Sequence, residues 1–329
     1  MTRFSSGRRR LIQAVPAALA ASALARPAWS SESLGRPVHL IVPFAPGGPV
    51  DSIARVLNTE LAASLGQNVI VDNRPGGGGV VALNAVTTAP ADGNTMVLSS
   101  ITLVTTPALM TPAPYDAAKD FAPLTVIGFI PHVLAVRAGY PAKTLADLVA
   151  RGKAKPGSLR YGSSGIGTSA HLAGALFVDR AGLQATHVPY RGSAPAALDL
   201  LAGRLDFMFL DVPTLQPYLR AGQLRALAVA PAAGSRALPE VPTIAASGYP
   251  GFDIHAWYGM LVKAGTPEAV RQARYQALLK ALNSDKFKTF LTTAGIDPGG
   301  MPPDQFAALI REDLASWKTA IDRLHISLT

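Results

Sequence analysis

The chain contains the stretch Val38-His39-Leu40-Ile41-Val42-Pro43-Phe44-Ala45-Pro46-Gly47-Gly48-Pro49-Val50-Asp51, which predicts a buried strand followed at once by a helix. The first five residues are mostly apolar and β-branched, as in buried strands. Pro46 and the Gly47-Gly48 pair end that strand, and Pro49 suits the first helical position. Apolar residues then recur at helical spacing until Gly66 ends the helix.

The loop between this strand and helix has the properties of an anion site. The first N–H groups of a helix lack intrahelical partners and carry partial positive charge. Here they follow a strand end directly, behind a loop with almost no side-chain bulk, so an anion can reach the backbone. A lone loop of this kind is better explained as a tight turn.

A second stretch repeats the arrangement with hydroxyl groups in place of prolines. The strand Leu159-Arg160-Tyr161 leads into a glycine- and serine-rich loop that ends at Ser169, and an amphipathic helix follows. Two such corners, one in each half of the chain, favour a binding site. Three or four hydrogen bonds to a charged group, at about 1.5–3 kcal/mol each, can leave micromolar affinity after the ordering costs of binding.

The order of strands and helices predicts an α/β fold with two lobes, each a mixed, mainly parallel sheet flanked by helices. Two long apolar segments, Leu124–Val136 and Phe252–Val262, are expected to cross between the lobes, and Pro107–Pro123 is expected to be an ordered loop. The C-terminal helices are expected to return to the first lobe. Lobe 1 is therefore predicted at 31–130 plus 252–329, and lobe 2 at 131–251.

Residues 1–30 have the composition of an export signal peptide. Basic residues up to Arg10 precede an apolar, alanine-rich segment that is too short to span a bilayer comfortably, and Ala28-Trp29-Ser30 offers a cleavage site. The pair Arg8-Arg9 resembles a twin-arginine (Tat) signal, and a Sec signal is the alternative. The chain has no cysteine to carry a lipid anchor. We expect an exported protein located in the periplasm.

The net charge does not indicate a nucleic-acid partner. The chain has a formal charge of +9, but five of its 30 basic residues and none of its 21 acidic residues lie in the first 30 positions. The remaining excess of four positive charges is small, and no basic run with interleaved aromatic residues follows.

The residue patterns point to neither catalysis nor a cofactor. The glycines at 162, 165 and 167 reverse the dinucleotide-binding spacing, and no phosphate-binding P-loop motif is present. Ser163 and Ser164 miss the nucleophile-elbow pattern by one residue. The histidines lack metal-binding spacing, and His171 and His187 are expected to be structural. The sequence predicts no catalytic residue, no cofactor and no metal site.

Two aspartates have two interpretations each. Asp51 lies in the first turn of its helix, where it can cap that helix or accept a hydrogen bond from a ligand amine or an ordered water. Asp211 ends a strand of the second lobe and is equally ambiguous.

Several motifs occur in order along the whole mature chain: Pro43-Phe44-x-x-Gly47-Gly48-x-x-Asp51, Asn73-Arg74-Pro75-Gly76, Ser164-Gly165-Ile166-Gly167-Thr168, His187-Val188-Pro189-Tyr190 and Ala256-Trp257-Tyr258-Gly259. Together they resemble the substrate-binding receptors of tripartite tricarboxylate transporters, often called Bug receptors. The chain departs from that pattern at Asn94, where a tyrosine is usual, and at Ser316, where a lysine is expected.

The resemblance implies a monomeric periplasmic receptor with a flytrap fold, which closes on a small organic carboxylate and delivers it to a membrane permease. It also implies which residues contact the ligand: Phe44, Ala45, Pro46, Gly47 and Gly48 in the first loop, Ser163, Ser164, Gly165, Gly167, Thr168 and Ser169 in the second, and Asp51, Ser99 and Asp211 beside them. An extracytoplasmic sensor of the same shape, and an exported hydrolase that uses Ser163 or Ser164, are the alternatives.

Overall fold

The computed structural model describes residues 36–254 and 256–327, and these form two mixed sheets with helices on their faces. The predicted export signal, residues 1–30, lies outside the described residues. Among the helices described, none combines the length and the apolar character that crossing a membrane requires.

The first sheet carries the loop that begins at Phe44. In the described part of the chain it has six strands, in the order β11-β4-β10-β3-β1-β2. Strands β1, β2 and β3 run parallel, whereas β10 is antiparallel to both β3 and β4. The strands are β1 (Val38–Val42), β2 (Val69–Asn73), β3 (Thr95–Ser100), β4 (Phe121–Ile130), β10 (Ala256–Lys263) and β11 (Asp297–Pro298).

The second sheet carries the loop that ends at Ser169. Its five described strands have the order β7-β6-β8-β5-β9. Strand β6 is parallel to β7 and β8, and β5 is antiparallel to β8 and β9. Both sheets are thus mixed, as the sequence predicted. The strands are β5 (His132–Arg137), β6 (Leu159–Ser163), β7 (Ala185–Pro189), β8 (Phe207–Asp211) and β9 (Leu224–Val229).

The helix ends follow the local sequence signals. Helix α1 has Pro49 at its first position and ends at Gly66, which adopts φ +65°. Helix α4 begins with a capping box between Thr144 and Asp147. The described α-helices are α1 (Pro49–Leu65), α2 (Val80–Thr88), α3 (Thr102–Leu109), α4 (Leu145–Ala154), α5 (Ser169–Arg180), α6 (Ser193–Leu201), α7 (Val212–Arg220), α8 (Glu268–Leu282), α9 (Asp285–Ala294) and α10 (Pro303–Arg323).

The prediction of a loop over Pro107–Pro123 is wrong at both ends of that range. Helix α3 continues to Leu109 with Pro107 inside it, and β4 already begins at Phe121. A proline removes one helical hydrogen bond, but Leu103 and Val104 of this helix are fully buried. Packing of that apolar face against the core outweighs the local cost, which the composition of the segment does not show.

The two predicted crossing segments do connect the sheets. Strand β4 ends at Ile130 in the first sheet and β5 begins at His132 in the second, so only Pro131 lies between them. On the return, the Ile254 N–H donates to the carbonyl of Ala230 at 3.4 Å, beside the end of β9, and β10 then enters the first sheet. The exact lobe boundaries stay a prediction.

One apolar cluster is shared by both lobes. It contains Val104 and Leu109 of α3 from the first lobe and Phe177 and Phe207 from the second. The opposite faces of the two sheets are covered by separate clusters, one of them built on α1 and α8 and the other on α6 and α7. The lobes therefore meet through α3, α5 and α10 and not through the strands alone.

Candidate functional site

Six of the described helices begin at the carboxyl ends of parallel strands. In the first sheet α1, α2 and α3 follow β1, β2 and β3, and in the second α5, α6 and α7 follow β6, β7 and β8. Because parallel strands end at one edge of a sheet, each lobe collects three helix N-termini along a single edge. Of these six helices, the sequence predicted an anion site only at the N-termini of α1 and α5.

The first loop, 44–48, is held in place by Asp51 and Asn73. The Gly47 N–H donates to Oδ2 of Asp51 at 2.9 Å. The side-chain amide of Asn73 donates to the Phe44 carbonyl at 3.1 Å and to Oδ1 of Asp51 at 3.0 Å. Both carboxylate oxygens of Asp51 are therefore bonded within their own lobe.

Arg55 completes this arrangement. Its Nε donates to Oδ2 of Asp51 at 2.8 Å, and the Asp51 side chain is only 4% exposed. Burial alone raises the pKa of Asp51, but the hydrogen bonds from Arg55, Gly47 and Asn73 outweigh burial and lower that pKa below its usual value. These contacts hold the loop and do not cap α1, because the Gly47 N–H precedes the N-cap Gly48 and that helix has no side-chain cap hydrogen bond. A direct contact of Asp51 with a ligand stays a prediction.

Part of the first loop remains available to a ligand. Ala45, Pro46 and Gly47 are exposed, and Gly48 is half-buried. The Gly47 N–H is taken by Asp51, whereas the N–H groups of Ala45 and Gly48 meet no acceptor in the described part of the protein. Gly48 is also the N-cap of α1, so its N–H lies at the positive end of that helix.

Two histidines form hydrogen bonds that hold the second loop, 163–169, in place. The Ser163 hydroxyl lies 2.7 Å from Nε2 of His187 and also accepts from the Gly165 N–H at 3.2 Å. The Gly167 N–H donates to Nδ1 of His171 at 3.1 Å. The two imidazole rings stack with centroids 3.9 Å apart and an interplanar angle of 18°.

Both imidazoles are neutral at neutral pH. Burial, and secondarily the adjacent His187, lowers the pKa of His171 to about 3, and burial lowers the pKa of His187 to about 4. A neutral His171 can accept from Gly167 at Nδ1, which its protonated form cannot do. The sequence predicted a structural role for these histidines but gave no signal that they hold the binding loop.

The remaining hydroxyl groups of the second loop cap α5 or bond to the crossing segment. Thr168 is the N-cap of α5, and its hydroxyl donates to the Gly165 carbonyl at 2.7 Å and accepts from Ser164 at 3.2 Å. Ser169 bonds to Nε2 of His132 at 3.1 Å. The N–H groups of Ser164 and Ile166 meet no acceptor among the described residues, so they are the donors that this loop can offer.

Asp211 and Ser99, both predicted beside the ligand, are buried. Asp211 caps α7 by accepting from the Thr214 N–H at 2.9 Å, and it also accepts from the Ser193 hydroxyl at 2.9 Å. Ser99 has no exposed surface, and its hydroxyl has no partner within the described residues. Their role in ligand binding stays a prediction.

The Ser163–His187 pair has the spacing of a nucleophile and its base, which the sequence did not reveal. Ser163, however, is fully buried, and no carboxylate in the described part of the chain bonds to His187 to orient it. The described part of the chain also contains no group of three or more side chains that could hold a metal ion together. The pair fixes the loop backbone instead of facing a substrate.

Known proteins resemble the chain over nearly its whole length. Residues 53–326 match the family described as "Tripartite tricarboxylate transporter family receptor". Protein BugT of Bordetella pertussis is 34% identical over 310 residues, which cover 94% of this chain and 95% of BugT.

Solved structures agree in fold. The periplasmic binding protein BugD has a TM-score of 0.81 and 29% identity, covering 89% of this chain and 98% of its own. A Rhodopseudomonas palustris protein solved with adipate has a TM-score of 0.83 and 34% identity, with the same coverage of 89% and 98%. This family consists of periplasmic solute-binding receptors and not of enzymes, which excludes the hydrolase alternative. The chain belongs to the tripartite tricarboxylate transporter receptor family.

Proposed function

We propose that this receptor captures a small organic carboxylate between its two lobes and delivers it to the membrane permease of a tripartite transporter. The observation that carries the proposal is the pair of loops, one at the carboxyl edge of each sheet, with N–H groups that meet no acceptor among the described residues. Ala45 and Gly48 offer such groups in lobe 1, and Ser164 and Ile166 offer them in lobe 2.

The chemistry of these donors suits a carboxylate. A carboxylate has two oxygens that accept several hydrogen bonds and needs no cationic partner when N–H groups and helix N-termini surround it. Arg55, the cation nearest the first loop in sequence, is already bonded to Asp51. The adipate bound to the related structure supports the same ligand class for this chain.

The proposal includes closure of a flytrap by a monomer. Lobe 1 (31–130 plus 252–329) and lobe 2 (131–251) move about the two crossing segments, and the ligand is enclosed when the loops approach each other. Proline at position 131 and the short return near Ile254 limit the hinge to a few residues.

A calorimetric titration with malate, adipate and a matched monocarboxylate tests ligand capture. We expect micromolar affinity for at least one dicarboxylate, since three or four hydrogen bonds to charged groups suffice for it. Neutral diamides of the same acids should not bind. Equal binding of the diamide and the acid would exclude a carboxylate site.

Delivery to a permease is tested separately with membrane vesicles that contain the candidate permease. Uptake of the labelled ligand should require the purified receptor. If the ligand binds the receptor but its uptake does not require the receptor, the proposed ligand capture is supported and the proposed delivery to the permease is rejected.

A further inference from the structure

A single buried hydrogen bond joins helix α3 of lobe 1 to the second ligand loop, in lobe 2. The hydroxyl of Thr105 donates to the carbonyl of Gly167 at 2.8 Å. Thr105 has no exposed surface, and Gly167 is also buried. The contact therefore lies inside the protein, between the lobes, at one of the two loops assigned to the ligand.

Gly167 is held tightly at this point. Its N–H donates to His171 while its carbonyl accepts from Thr105, so both backbone groups are engaged. Its φ is +78°, and a Cβ at this position would lie 2.4 Å from Cδ1 of Leu109 on α3. The backbone of the loop thus touches α3 directly, and only glycine fits between them.

Helix α3 is itself anchored in lobe 1. The hydroxyl of Thr106 donates to the carbonyl of Gly78, in the glycine turn after β2, at 3.0 Å. The hydroxyl of Tyr115 donates to the carbonyl of Thr102 at 3.1 Å. Because α3 is fixed to lobe 1 at both sites, the hydrogen bond from the Thr105 hydroxyl links the position of lobe 1 to the backbone of the second loop, in lobe 2.

We propose that Thr105 is a positioning residue for ligand binding: by holding the Gly167 carbonyl it fixes the second loop in the arrangement in which the Ile166 N–H, two peptide groups earlier, can serve the ligand. This inference rests on the proposed function. Thr105 is fully buried, so it acts through Gly167 and not by direct contact with a ligand.

Thr105→Val tests the inference, and the neighbouring Thr106→Val is a matched control. Each substitution removes one hydroxyl-to-carbonyl hydrogen bond from α3 at nearly constant volume, but only the bond of Thr105 crosses between the lobes. With the dicarboxylate that binds the unaltered protein, Thr105→Val should weaken binding by about fivefold or more, mainly through faster dissociation. Thr106→Val should change affinity by less than about twofold, and Thr105→Ser, which keeps the hydroxyl, should restore it.

The unfolding temperature of each variant without ligand separates positioning from simple stabilisation. If Thr105→Val and Thr106→Val lower this temperature to a similar extent but only Thr105→Val weakens binding, the inference holds. Unchanged affinity in Thr105→Val, or an equal loss in both variants, overturns it. Absence of carboxylate binding in the unaltered protein is a different outcome, since it rejects the proposed function itself.

Discussion

At the scale of single residues, the site is built by side chains that stay within their own lobe. Asp51, Asn73 and Arg55 fix the first loop, and Ser163 and the two histidines fix the second. In the proposed function, the ligand is left with main-chain groups that these contacts hold in place. Such a site recognises what carboxylates share, because N–H groups oriented in advance lose little entropy on binding.

Gly48→Val should abolish carboxylate binding while leaving the fold intact. The Gly48 backbone has φ −83° and ψ 173°, which any residue adopts, and the nearest atom to an added Cβ is the Ala45 carbonyl oxygen at 3.8 Å. The valine side chain would instead occupy the approach to the N–H groups. Calorimetry should show at least about a hundredfold weaker binding, equivalent to the loss of one or two charged hydrogen bonds. Unchanged affinity with an unchanged unfolding midpoint would remove this loop from the site.

Asp51→Asn should weaken binding of plain dicarboxylates and lower the free energy of unfolding by about 1–3 kcal/mol. An asparagine keeps one acceptor oxygen, and its amide group would face donors from Gly47, Arg55 or Asn73. Asp72→Asn is the control, since Asp72 forms an ion pair with Arg74 in which the two side chains are 31% and 45% exposed. That change should cost less than about 1 kcal/mol. A loss confined to amine-bearing ligands would show that Asp51 contacts the ligand directly.

At the scale of elements, helix packing explains features that local sequence left open. Arg274 of α8 is buried and donates to Gly93, Gln67 and Asn94 at 3.0, 2.6 and 2.8 Å. Asn94, which stands where the resemblance predicts tyrosine, is thus a partner of a buried arginine that ties α8 to the first sheet. The departure from the family pattern has a structural role away from the ligand loops.

The stacked histidine pair between α5 and β7 should make the protein sensitive to acid. The pKa of His171 is lowered to about 3 and that of His187 to about 4, whereas both titrate near 6.5 in the unfolded chain. Between pH 6.5 and about 4 the unfolded state binds protons that the folded state does not. The free energy of unfolding should therefore fall as pH falls, by about 1.4 kcal/mol per pH unit for each histidine.

Denaturant titrations at pH 7, 6, 5 and 4 measure this dependence. His171→Asn, which can keep an acceptor for the Gly167 N–H, should reduce the slope by the contribution of one histidine. His325→Asn changes an exposed residue outside the site and serves as the control. Equal slopes in the unaltered protein and in His171→Asn would show that the buried imidazole is not responsible.

At the scale of the whole molecule, the two sheets are joined by two short crossings and by one apolar cluster through α3, α5 and α10. The loops at the carboxyl edges of the sheets belong to different lobes. In the proposed closure, the lobes move about the residues near Pro131 and Ile254, and α3 already contacts the second loop.

Ligand should reduce the radius of gyration measured by solution X-ray scattering, because closure brings the lobes together. The Gly48→Val variant is the control and should give the same profile with and without the dicarboxylate. A binding-competent protein whose scattering does not change on saturation would exclude a flytrap movement.

The sequence was sufficient to predict the strand–loop–helix corners, the mixed α/β class and the two crossings, because proline, glycine and apolar spacing act locally on the backbone. It also predicted the loops 44–48 and 163–169 as the ligand loops, which stays a prediction. It did not identify helix α3 as the link between the lobes, since Pro107 and the acidic segment after it indicated a loop. Nor did it distinguish which loop N–H groups the protein uses for itself.

Those features were decided only by tertiary structure. The contacts of Asp51 with Asn73, of Ser163 with His187 and of Thr105 with Gly167 join residues 22, 24 and 62 positions apart. Hydrogen bonds of this kind depend on how strands and helices pack, and no spacing along the chain encodes them. The loop at Phe44–Gly48 is therefore a property of local sequence, whereas the N–H groups that it leaves without an acceptor among the described residues are a property of the folded protein.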